Sequence, residues 1–290
     1  MEKICIFTDS SADIPKEEVE KFGIEIIPIL VTAGDRTFRE YFDITPEEYW
    51  KLLRESEEIP STAQTTVQDC LTVFRRAHDA GCTHAMGIMI NGSGSGSFQA
   101  ANIARDMFYS ECGEDMTIEI LDSETYTYIY GRIVVEAARA RMAGMPFAQI
   151  VENAKHRIKS SEAYLGVFSL KHLQKSGRIS GGLAFVGGAL GMRPLSHVYA
   201  GSVDVQAKTR GDKSVPTKIT QLVMKRAVEP EKQTAYLLYA DCPAGIVEQT
   251  ELLLRQSGFA DVRRYPIGCA VTTNTGPDAI AVAYYGEERK

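Results

Sequence analysis

AMGIMI-NGSGSGSFQAA, residues 85–101, sets an apolar run against a loop of alternating glycine and serine that leads straight into a helix-like segment. The run has the length and texture of a buried strand. Working outward, the same handover of strand to helix recurs. KICIFTDS reads as a strand, the KEEVEKFG segment after Pro15 as a helix ending at Gly23, and IEIIPILV as a second strand. Thr45 followed by Pro46 and Glu48 forms a capping box that opens a helix over TPEEYWKLLRES. VQDCLTVFRRAHDAG is a further helix closed by Gly81, TIEILDS a strand and YTYIYGRIVVEAARARMAG a helix. Phe147, Ile150, Val151, Ala154 and Ile158 then recur at helical spacing. Alternation of this kind predicts a doubly wound, mainly parallel α/β sheet over residues 1–160.

After Ser161 the texture changes. RPLSHVYAGSVDVQAKTR alternates on both sides of AGS and reads as an antiparallel hairpin, which a purely parallel fold does not supply. With a helix from Val215, strands TAYLLYA, DVRRYPIG and AIAVAYYG, and a helix over AGIVEQTELLLRQSG, residues 161–290 predict a second α/β domain with a mixed sheet. GGLAFVGGALG, residues 181–191, is unusual for a helix, since each glycine costs about 1 kcal/mol against alanine. Its small residues either leave a groove or allow close helix–sheet packing.

The chain has 290 residues, 44% of them hydrophobic and 24% charged, with net charge -6 and no basic run. That balance disfavours a nucleic-acid or anionic-membrane surface. No apolar stretch is long enough to span a bilayer. Six cysteines show no CxxC spacing and five histidines no ligand spacing, so the expectation is a cytoplasmic protein without disulfides or a metal.

Ligands of open α/β sheets bind beyond the carboxyl ends of the strands. Three strands here end in TDSSAD, NGSGSGS and LDSET, and a fourth polar cluster, PSTAQTT, spans Pro60 to Thr66. Hydroxyls at such places can donate to an anion, glycines let backbone N–H groups approach it, and the helix starting near Ser97 adds its positive end. Ser, Thr and Asp also cap helices, which is the competing reading for each loop taken alone. Nucleotide and nucleophile motifs fail in detail. Ser97 stands where GxGxxG needs its last glycine, GxxxxGK[ST] is absent, and around Ser95 the first glycine of GxSxG is Ser93. Arg178, between Gly177 and Ile179, is a candidate carboxylate or phosphate clamp, or else a surface arginine paired with an acid. Thr273, Asn274, Thr275 and Gly276 read as a turn between two strands, with donors that face the first domain as the functional alternative.

FTDSSAD, SGSF with the following Gln-Ala, LDS, QKSGRIS, RPL and NTGPDAIAVAYYG, in that order, resemble the DegV family of bacterial lipid-binding proteins, which includes the fatty-acid-binding subunits of fatty acid kinase. The resemblance runs from residue 8 to about residue 286. It implies a two-domain α/β protein holding a long-chain fatty acid, with no other cofactor and an ATP-dependent fatty acid kinase subunit as partner. The family's Ser-Gly-Thr matches Ser95, Gly96 and Ser97, and the carboxylate-binding serine carries over to Ser95. Its Thr-Ser-x-Pro-Ser matches residues 62–66, where only Thr62 carries over as a carboxylate contact, and its GRIS arginine is Arg178. Its His-Thr-Gly-Pro-Gly matches Asn274, Thr275, Gly276, Pro277 and Asp278. An asparagine cannot become a cation, so the departure at Asn274 bears on acyl-phosphate formation more than on acyl-chain binding. Two other readings stand beside this one: a hydrolase or transferase with Ser95 as nucleophile, and a lipid-responsive sensor or interaction module.

Overall fold

The computed structural model describes residues 2–178 and 191–289, so most of the glycine-rich stretch 181–191, together with Ile179 and Ser180, lies outside the described residues. The first sheet has the strand order β2-β1-β6-β7, from β1 (Ile4–Asp9), β2 (Ile24–Ile27), β6 (His84–Met89) and β7 (Thr117–Asp122). All of its pairings are parallel. Because side chains alternate across a strand, successive residues feed opposite cores. Ile6, Met86 and Ile88 join α1 (Lys16–Phe22) and α5 (Tyr128–Met142) on one face. Phe7, Ala85 and Met89 join α3 (Val67–Asp79) and α4 (Ser97–Cys112) on the other.

The expected strand over IEIIPILV is two strands. Pro28 has no N–H to donate to a ladder, and the chain leaves the parallel sheet there. It continues as β3 (Leu30–Ala33), which pairs antiparallel with β4 (Arg36–Arg39) and β5 (Ser61–Ala63) in a small separate sheet. Between them, α2 (Pro46–Glu55) opens with the expected capping box: Thr45 Oγ1 accepts from Glu48 N, and the Glu48 carboxylate accepts from Thr45 N at 2.9 Å.

The point 160/161 is the junction of α6 (Phe147–Ser160) and β8 (Ser161–Val167). Beyond it lie α7 (Lys171–Ser176), β9 (Met192–Tyr199), β10 (Ser202–Arg210), α8 (Val215–Met224), β11 (Thr234–Tyr239), α9 (Ile246–Gln256), β12 (Asp261–Pro266), α10 (Cys269–Thr275) and β13 (Ala279–Tyr285). The second sheet runs β10-β9-β8-β13-β11-β12 and is mixed, with β11 and β12 parallel and the other pairs antiparallel. The hairpin turns at Ala200 and Gly201, both at positive φ, as a two-residue turn between right-twisted strands requires.

Helix α5 lies between the two sheets and buries residues around its whole circumference. One core cluster therefore takes Ile6 and Ile88 from the first sheet, Ile133 and Val134 from α5, and Leu165 and Ala281 from the second. Further contacts join the halves. Gly201 at the hairpin tip accepts from Asn91 Nδ2 at 2.8 Å and from Ser93 Oγ at 2.9 Å. Helix α10 packs on α2, β3 and β5.

Candidate functional site

One cavity of about 200 Å³ lies where these elements meet. Its lining includes Thr62 from β5, Ser95 and Gly96 from the β6–α4 loop, Arg178 after α7, and Asn274 and Thr275 from α10. Six of the seven residues singled out in the sequence thus share one wall system, with apolar side chains such as Ile29, Ile90, Ile129, Leu165 and Val198 between them. Ser97, the seventh, is not on the lining. It is fully buried, and its hydroxyl accepts from Thr65 N at 3.1 Å while pairing with Ser95 Oγ at 3.1 Å. Its work is to tie the 62–66 segment to the glycine loop.

The loop folds on its own polar groups. Asn91 O accepts from Gly94 N and Ser95 N, both at 3.0 Å, and Asn91 Oδ1 accepts from Ser93 N. Asp122 Oδ1 takes Gly92 N at 3.0 Å. Most of the loop's N–H groups are therefore occupied, whereas Gly96 N has no acceptor among the described residues. The glycines serve close packing more than exposure of the backbone. A Cβ at Gly92 would collide with the Asp122 carboxylate, one at Gly94 with the Tyr126 ring and hydroxyl, and one at Gly96 with the Gln64 amide. This narrows the expected anion cradle from the whole 91–97 backbone to Gly96 N and the Ser95 hydroxyl.

TDSSAD stays off the lining as well. Thr8 Oγ1 donates to Ile88 O at 2.6 Å, Asp9 accepts from Ser11, Tyr130 and Ile90 N, and Ser10 Oγ donates to Glu40 at 2.7 Å. Its polar groups fasten strand ends to one another. LDSET likewise props the glycine loop through Asp122, but Tyr126 and Thr127 just beyond it reach the cavity. Sequence reading passed over both, together with Gln64. The position of Tyr126 and Thr127 after a strand's carboxyl end was the available signal.

Arg178 is exposed, and among the described residues no ion pair uses its guanidinium. Its Nη1 donates to Ser176 O at 2.6 Å, and Nε lies 3.5 Å from Gly94 O, so the positive charge sits beside the loop with no carboxylate on it. Asn274 and Thr275, expected in a turn between strands, are on α10. Asn274 Nδ2 donates to Ala270 O at 2.8 Å and Thr275 Oγ1 to Val271 O at 3.2 Å. The Thr275 hydroxyl and one of the two Asn274 Nδ2 donors are thus held by their own helix.

A model of the DegV family matches residues 3–287. The chain belongs to the DegV family. A DegV domain-containing protein of Staphylococcus aureus is 30% identical over 293 residues, covering 99% of this chain and 98% of its own. Among solved structures, a fatty-acid-binding DegV family protein from Thermus thermophilus superposes with TM-score 0.88 at 24% identity, covering 98% of this chain and 100% of its own. A DegV lipid-binding protein from Thermotoga maritima superposes with TM-score 0.83 at 25% identity, covering 99% and 100%. These likenesses bear out the α/β fold with a parallel four-stranded sheet and a mixed six-stranded sheet.

In this DegV chain the helix carrying Asn274 is anchored by acids from the N-terminal half. Asp13 Oδ2 accepts Gly268 N at 2.9 Å and Glu40 Oε1 accepts Ala270 N at 2.7 Å. Burial lifts Glu40 to about 7, against the hydrogen bonds from Ala270 N and Ser10, and the nearby Asp9 charge adds to the rise. Asp13 is pushed up by burial and by the Glu40 charge. Among the described residues no group of three or more His, Cys, Asp or Glu is arranged to hold a metal, and no helix is long and apolar enough to cross a membrane.

Proposed function

We propose that the protein binds one long-chain fatty acid, with its tail in the apolar part of the cavity and its carboxylate toward Thr62, Ser95 and Arg178. The observation that carries this is the composition of the cavity: aliphatic walls from the second sheet, α5 and the loops of the N-terminal half, plus hydroxyls and a guanidinium with no acid on it among the described residues. A saturated sixteen-carbon acid brings about 14 methylenes out of water, a gross gain of roughly 11 kcal/mol at ~0.8 kcal/mol each. Association and ordering remove several kcal/mol of that, so affinity resides in the tail. The head-group donors fix orientation and keep a buried carboxylate from going unpaired. Membership of a family whose solved members from T. thermophilus and T. maritima bind fatty acid or lipid supports the same reading.

We further infer that the bound carboxyl group is presented to a separate, ATP-dependent fatty acid kinase, with Arg178 as the cation beside the phosphoryl acceptor. The cation-free Asn274 favours a second reading, in which the loaded protein is a lipid-responsive module and no phosphate is transferred.

Native mass spectrometry of purified protein tests the first step; about one fatty acid per chain is expected. Protein free of lipid that also fails to take up palmitate or oleate would end the proposal. Arg178→Ala should weaken palmitate binding with the fold intact. Adding a fatty acid kinase and Mg-ATP, with hydroxylamine to trap acyl phosphate, separates the two readings: hydroxamate means presentation, and its absence means the module.

A further inference from the structure

The side-chain amide of Asn91 decides where one proton beside the cavity can go. Asn91 is 1% exposed, and both polar atoms of its side chain are hydrogen-bonded. Ser93 N can only donate and lies 3.1 Å from Oδ1, whereas Gly201 O can only accept and lies 2.8 Å from Nδ2. These two partners set which way round the amide sits. The second Nδ2 hydrogen then goes to the Tyr126 hydroxyl at 2.8 Å. An amide nitrogen is no acceptor, so the phenol oxygen accepts here and keeps its own proton to donate. Among the described residues no acceptor takes that proton.

The Gly94 backbone locates the phenol. A Cβ built on Gly94 would fall 2.2 Å from the Tyr126 oxygen, so the hydroxyl rests against that residue. The carbonyl of the same Gly94 is 3.5 Å from Arg178 Nε, and the next residue is Ser95. Tyr126, Gly94, Ser95 and Arg178 all line the cavity, and Tyr126 is half-buried, not sealed. Phenol, serine and guanidinium are therefore gathered around one short stretch of loop. Burial raises the pKa of Tyr126; the Asn91 hydrogen bond and the Arg178 charge act against the rise, and the Asp122 charge adds to it. The group stays protonated near neutral pH, as a donor must. A plain fatty acid carries hydrogen-bond acceptors only at its carboxyl group, and a carboxylate is a stronger acceptor than the water that meets a half-buried phenol.

We propose that Tyr126 is a further ligand-binding residue, whose phenol donates to the carboxylate of the bound acid beside Ser95 and Arg178, with Asn91 as the positioning residue that leaves the proton free for it. The inference rests on the fatty-acid reading above and adds a donor that the sequence motifs do not include.

Tyr126→Phe tests it, since phenylalanine keeps the ring and removes the hydroxyl. The Asn91 hydrogen that loses its partner is the same with and without ligand, so its cost falls on stability and not on affinity. Binding is followed by fluorescence of Trp50, the chain's single tryptophan, whose indole donates to the carbonyl of Ile267, a lining residue. Y126F is expected to weaken palmitate binding at least about tenfold, the scale of a hydrogen bond to a charged group. It should change binding of 1-bromohexadecane, the same chain without oxygens, less than about twofold, because tail burial is untouched. Unchanged palmitate binding would overturn the proposal. So would an equal loss for both probes, which would make the hydroxyl a prop of the loop. A second readout uses the unaltered protein: palmitate, and not 1-bromohexadecane, should red-shift tyrosine absorption in the near ultraviolet, as a phenol does when it donates to an anion. No shift there would overturn the proposal even where Y126F folds poorly, and a shift that survives in folded Y126F would do so by assigning the bond to another tyrosine. Uptake of neither probe by the unaltered protein would end the fatty-acid reading and this inference with it, whereas uptake of both with no effect of Y126F ends this inference alone.

Discussion

Two buried glutamates, Glu40 between the halves and Glu162 inside the second sheet, have opposite protonation behaviour for one physical reason. Burial penalises both charges. At Glu162 hydrogen bonds outweigh it: Arg226 donates twice, at 2.6 and 2.8 Å, with His197 and Tyr284 each at 2.8 Å, and the carboxyl is held at about 2. At Glu40 the donors are neutral groups, Ala270 N and the Ser10 hydroxyl, each at 2.7 Å, with the Cys269 backbone N–H, and the charged neighbours are acids. The second sheet thus carries a finished ion cluster, whereas the seam beside the cavity carries two carboxyls, Asp13 and Glu40, whose hold on a proton is strengthened by burial.

The comparison breaks most sharply at Arg226. Removing one partner of a buried ion pair is costly because the other charge stays behind. Arg226→Ala is expected to destabilise the protein by about 3 kcal/mol, the lower end of that range because the guanidinium is partly solvent-exposed. Urea unfolding at pH 7 measures it. A loss under ~1 kcal/mol would mean that His197 and Tyr284 suffice.

The seam gives the next largest effect, with the opposite sign. A carboxyl whose folded-state value lies above its unfolded one favours the protonated fold. Its contribution is full below about 4.5 and is lost as pH rises through about 7. Between pH 5 and pH 8 the loss is on the order of 3 kcal/mol at most, from about 1.4 kcal/mol per pH unit. Glu40→Gln should flatten that slope. Glu162 acts the other way: its contribution is present above about 4.5 and is lost as pH falls through about 2. Unfolding curves from pH 3 to pH 8 for the unaltered protein, E40Q and E162Q separate the two limbs; a slope above pH 5 that survives in E40Q would locate the proton elsewhere.

Thr45→Ala removes the cap of α2, which carries Tyr49 and Trp50 into the seam, and should cost about 1 kcal/mol. Smallest is Arg54→Ala. Its pair with Asp241 joins the halves at the surface, with side-chain exposures of 44% and 56%, and exposed pairs contribute ~1 kcal/mol or less. A larger loss would show that surface charge, and not the buried acids, holds the seam.

Much of this was legible in the sequence because the signals are local. The capping box at Thr45–Glu48, the hairpin around Ala200-Gly201 and the alternation of strand with helix each need only a few consecutive residues. The break at Pro28 was written there too, in a residue that cannot donate to a ladder, but its result was not: which sheet β3 joins depends on β4 and β5. Nor does sequence show that Asn274 and Thr275 sit on a helix, because α10 is short and is anchored by Asp13 and Glu40 from more than 200 residues away.

The sequence by itself determined most of the element types, the capping box at Thr45 and the family, because periodicity, capping chemistry and motif order are properties of neighbours along the chain. Only the tertiary structure decided which hydroxyls face the cavity. Ser95 and Ser97 are two residues apart, yet one lines it and the other is sealed behind it; TDSSAD fastens strands, while Tyr126 and Thr127, just beyond LDSET, reach the lining. The direction of a side chain at a loop is set by what packs against it, and those partners come from other segments of the chain, as Thr65 does for Ser97 and Glu40 for Ser10.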